Sequence, residues 1–199
     1  MSEEKKKLVE VNGIAKEFLV NASIWKSQSA VVHAVTDVSL DIYEGETLGI
    51  VGESGCGKST LGRLLLGLLE PTEGQVLFDG QDLAKLSPKD LRALRRQMQM
   101  VFQDTAAALN PRLDVEGILS EPLRIHDLCP KDQWRERCGQ LLDQVGLSRD
   151  LLDRYPHEIS GGQRQRVVIA RALALEPRLV VCDEPVSALD VAVQSQMLN

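Results

Sequence analysis

Aromatic residues make up only 4 % of this 199-residue chain, and its four cysteines, Cys56, Cys129, Cys138 and Cys182, form neither a C-x-x-C pair nor a Cys/His cluster. That spacing excludes a disulfide framework and a thiolate metal site, and it suits a reducing cytosol. No apolar run approaches the roughly 20 residues needed to cross a bilayer, and the opening MSEEKKK leads into no signal-peptide core. The chain is therefore expected beside a membrane, if near one at all. Positive charge is also lacking: the net charge is −6 and the pI about 5.2. No basic field argues for a nucleic-acid partner, and Arg92, Arg95 and Arg96 in LRALRRQ read as a solvated helix face. There is no internal repeat and no low-complexity tract. What is present, 43 % hydrophobic and 26 % charged residues, is the composition of an ordinary globular chain with a core.

The apolar pattern alternates between the periods of strand and helix. LVEV (8–11) and VSLDI (38–42) alternate like half-covered strands, whereas TLGIV (47–51) and LVVC (179–182) are continuous runs of the kind buried on both faces of a parallel sheet. An α/β class follows. Leu61, Leu64, Leu65 and Leu68 recur at helical spacing up to Pro71, and QVLFDG (75–80) predicts a strand ending in an Asp79–Gly80 turn. Ser87, Pro88 and Asp90 supply an N-cap, a first-turn proline and a capping-box acid for a helix through Arg96, after which MQMVF is a strand delivering Gln103. Between Gln103 and Ser160 no strand is evident. Trp134, Cys138, Leu141, Leu142 and Val145 mark one helical face, and Pro111, Pro122 and Pro130 punctuate a mostly helical insert. A helix over Val167–Leu175 stops before Pro177, and LVVC returns the chain to the sheet.

Three stretches carry chemistry. GESGCGKST (52–60) matches G-x-x-x-x-G-K-[ST] between a strand and an amphipathic helix, the setting in which the match signifies phosphate binding. Gly52, Gly55 and Gly57 give backbone access, so that the amides from Gly52 through Glu53, Ser54, Cys56 and on to Thr60 can line a phosphate. Lys58 would reach β and γ oxygens and the Ser59 hydroxyl would ligate Mg²⁺. LVVCDEP sets Asp183 and Glu184 at the carboxyl end of a strand, where one acid can hold the metal and its neighbour can orient or deprotonate water. HEISGGQRQR (157–166) puts Ser160 as N-cap before Gly161 and Gly162, a second helix tip stripped of side chains.

Taken with Gln103 in VFQD and with SALD (187–190), these motifs stand in the order of the nucleotide-binding subunits of ABC transporters, which the whole chain resembles. QMVFQDTAAALNPR and ILSEPL are similar to the ATPases of dipeptide, oligopeptide and nickel importers, although Thr105 and Ala108 replace the proline and serine usual there. The resemblance implies a P-loop NTPase core of RecA-like type with an N-terminal antiparallel β subdomain and a mostly helical insert. The expected organisation is one domain over 1–199, with the helical part at about 104–163 inserted between 1–103 and 164–199. It implies ATP and Mg²⁺ as ligands, with Ser59, Gln103 and Asp183 around the metal and Glu184, Gln103 and Lys58 in catalysis. It further implies head-to-tail pairing, each ATP lying between one glycine-rich loop and Ser160, Gly161, Gly162 and Gln163 of a second cassette, identical or paralogous, with Ser187 and Asp190 near the boundary. Transmembrane permease subunits, and through them a solute-binding protein, would be the partners, placing the chain at the cytoplasmic face of a bacterial plasma membrane.

The resemblance also implies an adenine-stacking aromatic: Phe18 in AKEFLV occupies the matching place, with Trp25 in the segment after it and burial in the core as the other reading of Phe18. His33, His126 and His157 have no partner at ligand spacing and read as surface residues. The resemblance implies a switch histidine some tens of residues beyond LVVCDE, which Asn199 does not reach, so a C-terminally truncated domain with weak binding or slow turnover is expected. Other readings are a soluble ABC ATPase of translation or DNA repair, which would carry two cassettes or a very long insert, and a module that binds nucleotide without turnover. A kinase sharing the loop would lack ISGGQ and SALD.

Overall fold

The computed structural model describes residues 6–21, 29–102 and 108–183. It forms two compact units, Met1–Arg95 and Arg96–Asn199. In the first, β1 (Lys7–Asn21) and β2 (Ser29–Tyr43) form a long antiparallel ribbon, extended by β3 (Glu73–Phe78) and β4 (Gln81–Asp82) in the order β2-β1-β3-β4. Alternation decides which face is covered: Val9, Val11, Val76 and Phe78 are all buried. β3 and β4 are joined by Asp79 and Gly80 with φ of +49° and +76°, the double left-handed pair of a two-residue hairpin turn, and Phe78 faces Gln81 across it.

One irregularity in the ribbon matters for the site. Lys16 is paired with Val35 and Glu17 with His33, so Ala34 is an extra residue on β2, a β-bulge.

Helix α1 (Lys58–Leu65) stops earlier than the leucine spacing predicts. Gly67, at φ +59°, donates to Leu64 O while Leu68 N donates to Arg63 O, a Schellman closure that leaves Leu68 outside the helix. Arg95 donates to the Gly67 carbonyl at this same corner. This arginine is thus a half-buried tie to the turn that closes α1, a correction to its reading as solvated surface: the Gly67 carbonyl in that turn needs a donor, and Arg95 supplies it. Helix α2 (Pro88–Leu94) begins as expected, with Ser87 Oγ accepting from Asp90 N at 3.2 Å and donating to Asp90 Oδ2.

In the second unit, β5 (Met98–Val101) pairs in parallel with β6 (Leu179–Cys182), Met98 opposite Leu179 and Val101 opposite Cys182. Between them lie α3 (Val115–Ile125), α4 (Trp134–Gln144) and α5 (Gly161–Leu173), with no strand among the described residues. Ile118, Leu119 and Leu123 of α3, Cys138, Leu141 and Leu142 of α4, and Val167 and Val168 of α5 share one core cluster. Burial there pushes the Cys138 thiol up to about 12. Ion pairs bind the rim: Arg135 of α4 takes Asp153 in a two-pronged contact of 2.8 and 2.9 Å and also pairs with Glu116 of α3. Arg149 reaches Asp143 at 2.7 Å and Glu136 at 2.9 Å.

Three further sequence expectations differ from the structure. Pro122 does not punctuate but lies inside α3; the fully buried Ile118, Leu119 and Leu123 around it offset the one backbone hydrogen bond that proline removes. TLGIV has no ladder partner among the described residues, and Leu48, Ile50 and Val51 are exposed, Val51 at 96 %. Among the described residues LVVC has a neighbour on one edge only, and Leu179 is its one buried residue. A strand covered on both faces needs flanking strands as well as helices, and apolar pattern reports the intended cover, not the pairing.

Candidate functional site

The loop 52–57 enters α1 through two left-handed glycines, Gly55 at φ +82° and Gly57 at φ +99°. Gly57 is required for a second reason. A Cβ there would stand 2.1 Å from the Ala34 carbonyl oxygen, so the bulged residue of β2 packs its backbone directly against the residue that starts the helix. Gly57 makes no side-chain cap, and the first turn of α1 holds no acid. Gly57 thus offers the opening amides no side-chain cap and no first-turn acid offsets the positive end of the helix, a setting that favours an anion at a helix N-terminus. Lys58 Nζ donates to Gly52 O at 2.9 Å and Glu53 O at 2.7 Å, with Cys56 Sγ at 3.9 Å. Two strong bonds fix the ammonium over the loop, and its third N–H meets only the weak, distant Cys56 Sγ acceptor, which a ligand oxygen can displace. Cys56 is exposed.

The tip of α5 is organised differently. Ser160 Oγ accepts from Gln163 N at 3.2 Å and Gln163 Oε1 accepts from Ser160 N at 2.8 Å, a reciprocal capping box. The box consumes two donors and leaves the amides of Gly161 and Gly162 outside it, at a first turn that again holds no acid. Arg164 braces the approach by donating to Pro156 O and Ile159 O at 3.1 and 2.7 Å.

At the carboxyl end of β6, Asp183 N donates to Val101 O at 2.9 Å and so continues the β5–β6 ladder by one residue. Asp183 thus lies beside the end of β5, the edge of a parallel sheet where ligands bind. Gln103, Glu184, Ser187 and Asp190, like Trp25, lie outside the described residues. Phe18 is not core: its ring is 37 % exposed on β1, opposite Val32. His33 finds the carboxylate of Glu17 across the ribbon at 2.9 Å, and His157 stacks on Tyr155. Among the described residues no group of three His, Cys, Asp or Glu gathers as a metal cage, and no helix is long and apolar enough to cross a membrane.

Sequence reasoning overlooked Lys16, whose ammonium lies 5.4 Å from the centre of the Phe18 ring. The signal was available, since residues two apart on a strand share a face. The Ala34 bulge left no mark in residue type.

The ABC transporter family model matches residues 35–187, a span that contains the glycine loop, the α5 tip and Asp183. The chain belongs to the ABC transporter family. Among its relatives in that family, the oligopeptide transport ATP-binding protein AppF of Bacillus subtilis is 49 % identical over 96 % of this chain. The oligopeptide transport ATP-binding protein OppF of Escherichia coli is 47 % identical over 100 % of it. The chain spans 59 % of the first and 60 % of the second, so it matches little more than half of their length. A dimeric post-hydrolysis structure of the ATP-binding cassette MJ0796 bound to ADP and Pi superposes with a TM-score of 0.83 at 31 % identity, covering 96 % of this chain and 80 % of that one. The ABC cassette fold, with its antiparallel β part and its helices, is therefore the fold of this chain.

Proposed function

We propose that this chain binds and hydrolyses ATP as part of a subunit that powers an ABC importer of peptides or a related small solute such as nickel. The observation that carries the reading is the N-terminus of α1, uncapped and free of acids, with Lys58 held over the loop by two carbonyls. The names of AppF and OppF support the substrate class.

In this reading the amides of Gly52, Glu53, Ser54, Gly55, Cys56, Gly57, Lys58, Ser59 and Thr60 line the triphosphate, and Lys58 turns its remaining donor capacity onto β and γ oxygens. Phe18 stacks on the base. The oxygens of Ser59, Gln103 and Asp183 suit Mg²⁺, a hard cation that takes few protein ligands and shares phosphate oxygens. Bound there, Mg²⁺ would offset phosphate charge. Glu184 orients or deprotonates the attacking water, with Gln103 beside it.

The capping box of α5 leaves the Gly161 and Gly162 amides for the γ-phosphate of an ATP held by a second cassette, with Ser160, Gln163 and Asp190 at the boundary. Such pairing is supported by the dimeric MJ0796 cassette. Transmembrane permease subunits, served by a solute-binding protein, would hold the pair at the cytoplasmic face of the membrane. Replacing Glu184→Gln should lower ATP turnover at least about a hundredfold while ATP binding persists. Unchanged turnover would remove Glu184 from the chemistry.

A further inference from the structure

The β1 strand around Phe18 is tied to the segment that follows α1 by three bonds. Thr72 N donates to Ala15 O at 2.8 Å, Glu17 N donates to Thr72 Oγ1 at 3.0 Å, and Lys16 Nζ donates to Glu70 O at 2.8 Å. The last of these fixes an ammonium that also stands over the Phe18 ring, 5.4 Å from its centre. A long lysine side chain loses rotamer freedom only where something holds its end, and here the Glu70 carbonyl holds it. The ring is exposed enough to receive a ligand, and its strand partner Val32 is itself 49 % exposed, so no packed core fixes the ring from the side.

We propose that Lys16 is a positioning residue for the base of the bound nucleotide: anchored on the Glu70 carbonyl, it occupies one face of the Phe18 ring and presents the other to a purine. The inference rests on the reading of Phe18 as the base platform. Two effects act together. The cation holds the ring against its strand, and by drawing on the ring's π electrons it improves stacking with an electron-rich purine on the opposite face. Glu70 lies five residues beyond the end of α1, so the clamp also links the base platform to the helix whose other end opens at the glycine loop.

The test measures equilibrium affinity for ATP and for inorganic tripolyphosphate, which has no base, in the full chain carrying Lys16→Met, Lys16→Arg, Phe18→Ala, or Lys16→Met with Phe18→Ala. Phe18→Ala should weaken ATP binding about five- to tenfold and Lys16→Met about two- to fivefold, with tripolyphosphate unaffected by either. Lys16→Arg should retain ATP affinity, and Lys16→Met should add nothing once Phe18 is alanine. Equal loss for both ligands in Lys16→Met would mean a general effect on the fold and would overturn the positioning role, as would a silent Lys16→Met beside a selective Phe18→Ala. A silent Phe18→Ala would instead remove the base platform itself, and the role of Lys16 with it.

Discussion

A single methyl group at Gly57 meets two obstacles. Its carbon would overlap the Ala34 carbonyl at 2.1 Å, and the residue would have to hold φ at +99°. A backbone atom cannot swing aside as a side chain can, so either β2 or the start of α1 must move. Gly57→Ala should therefore cost at least about 2 kcal/mol of stability in denaturant titrations, and ATP affinity should fall with it, because the loop amides lose their fixed aim. A variant of unchanged stability would show that the bulge does not set the loop. Spacing alone singled out Lys58 as a candidate phosphate ligand. What spacing could not show is that Gly52 and Glu53 carbonyls already hold its ammonium in place. Arg95 was misread for a related reason: charge pattern along a helix says nothing of a turn carbonyl brought beside it by another part of the chain.

Among the elements, the helix caps were the most legible, because they are local. Ser87 before α2, Ser160 before α5 and the Asp79–Gly80 turn all act through neighbours within three residues, and all stand as the residue types predict. Ser160→Ala should cost the second unit about 1 kcal/mol, read as a lower melting temperature. It should lower turnover by more than that loss of folded protein accounts for if the same hydroxyl also faces a phosphate. Equal losses would assign Ser160 to capping alone. The ion pairs among α3, α4 and the 149–153 turn were not legible, since they join residues far apart in sequence. Arg149 holds the Asp143 carboxyl below its ordinary value of 3.8, and Arg135 does the same for Asp153. A carboxyl whose folded value is depressed contributes stability that is complete above the unfolded value and is lost as pH falls through the folded one. Melting temperatures measured from about pH 6 to pH 2 should therefore drop below about pH 4. Arg135→Leu should flatten part of that drop, and a slope identical to that of the unaltered protein would show the exposed pairs to be inert.

Across the whole molecule, the division into strand-rich and helix-rich stretches was readable because periodicity integrates over many residues. Sheet pairing was not. TLGIV and LVVC have the composition of central strands, yet pairing depends on partners distant in sequence, and among the described residues only β5 flanks LVVC. The family was legible at a scale between these, in short motifs whose order along the chain matters more than any one residue. The motifs mark two helix N-termini without an acid in the first turn, α1 beginning at Lys58 and α5 behind its capping box. In the proposed reading each tip serves a different cassette of a pair, as the dimeric MJ0796 cassette suggests. The first tip must work before the second can matter, and its lysine is the most direct test. Equilibrium titration of ATP against the full chain with Lys58→Ala should show affinity reduced about ten- to a hundredfold relative to the unaltered protein, with the melting temperature in the absence of nucleotide little changed. An affinity equal to that of the unaltered protein would contradict the account.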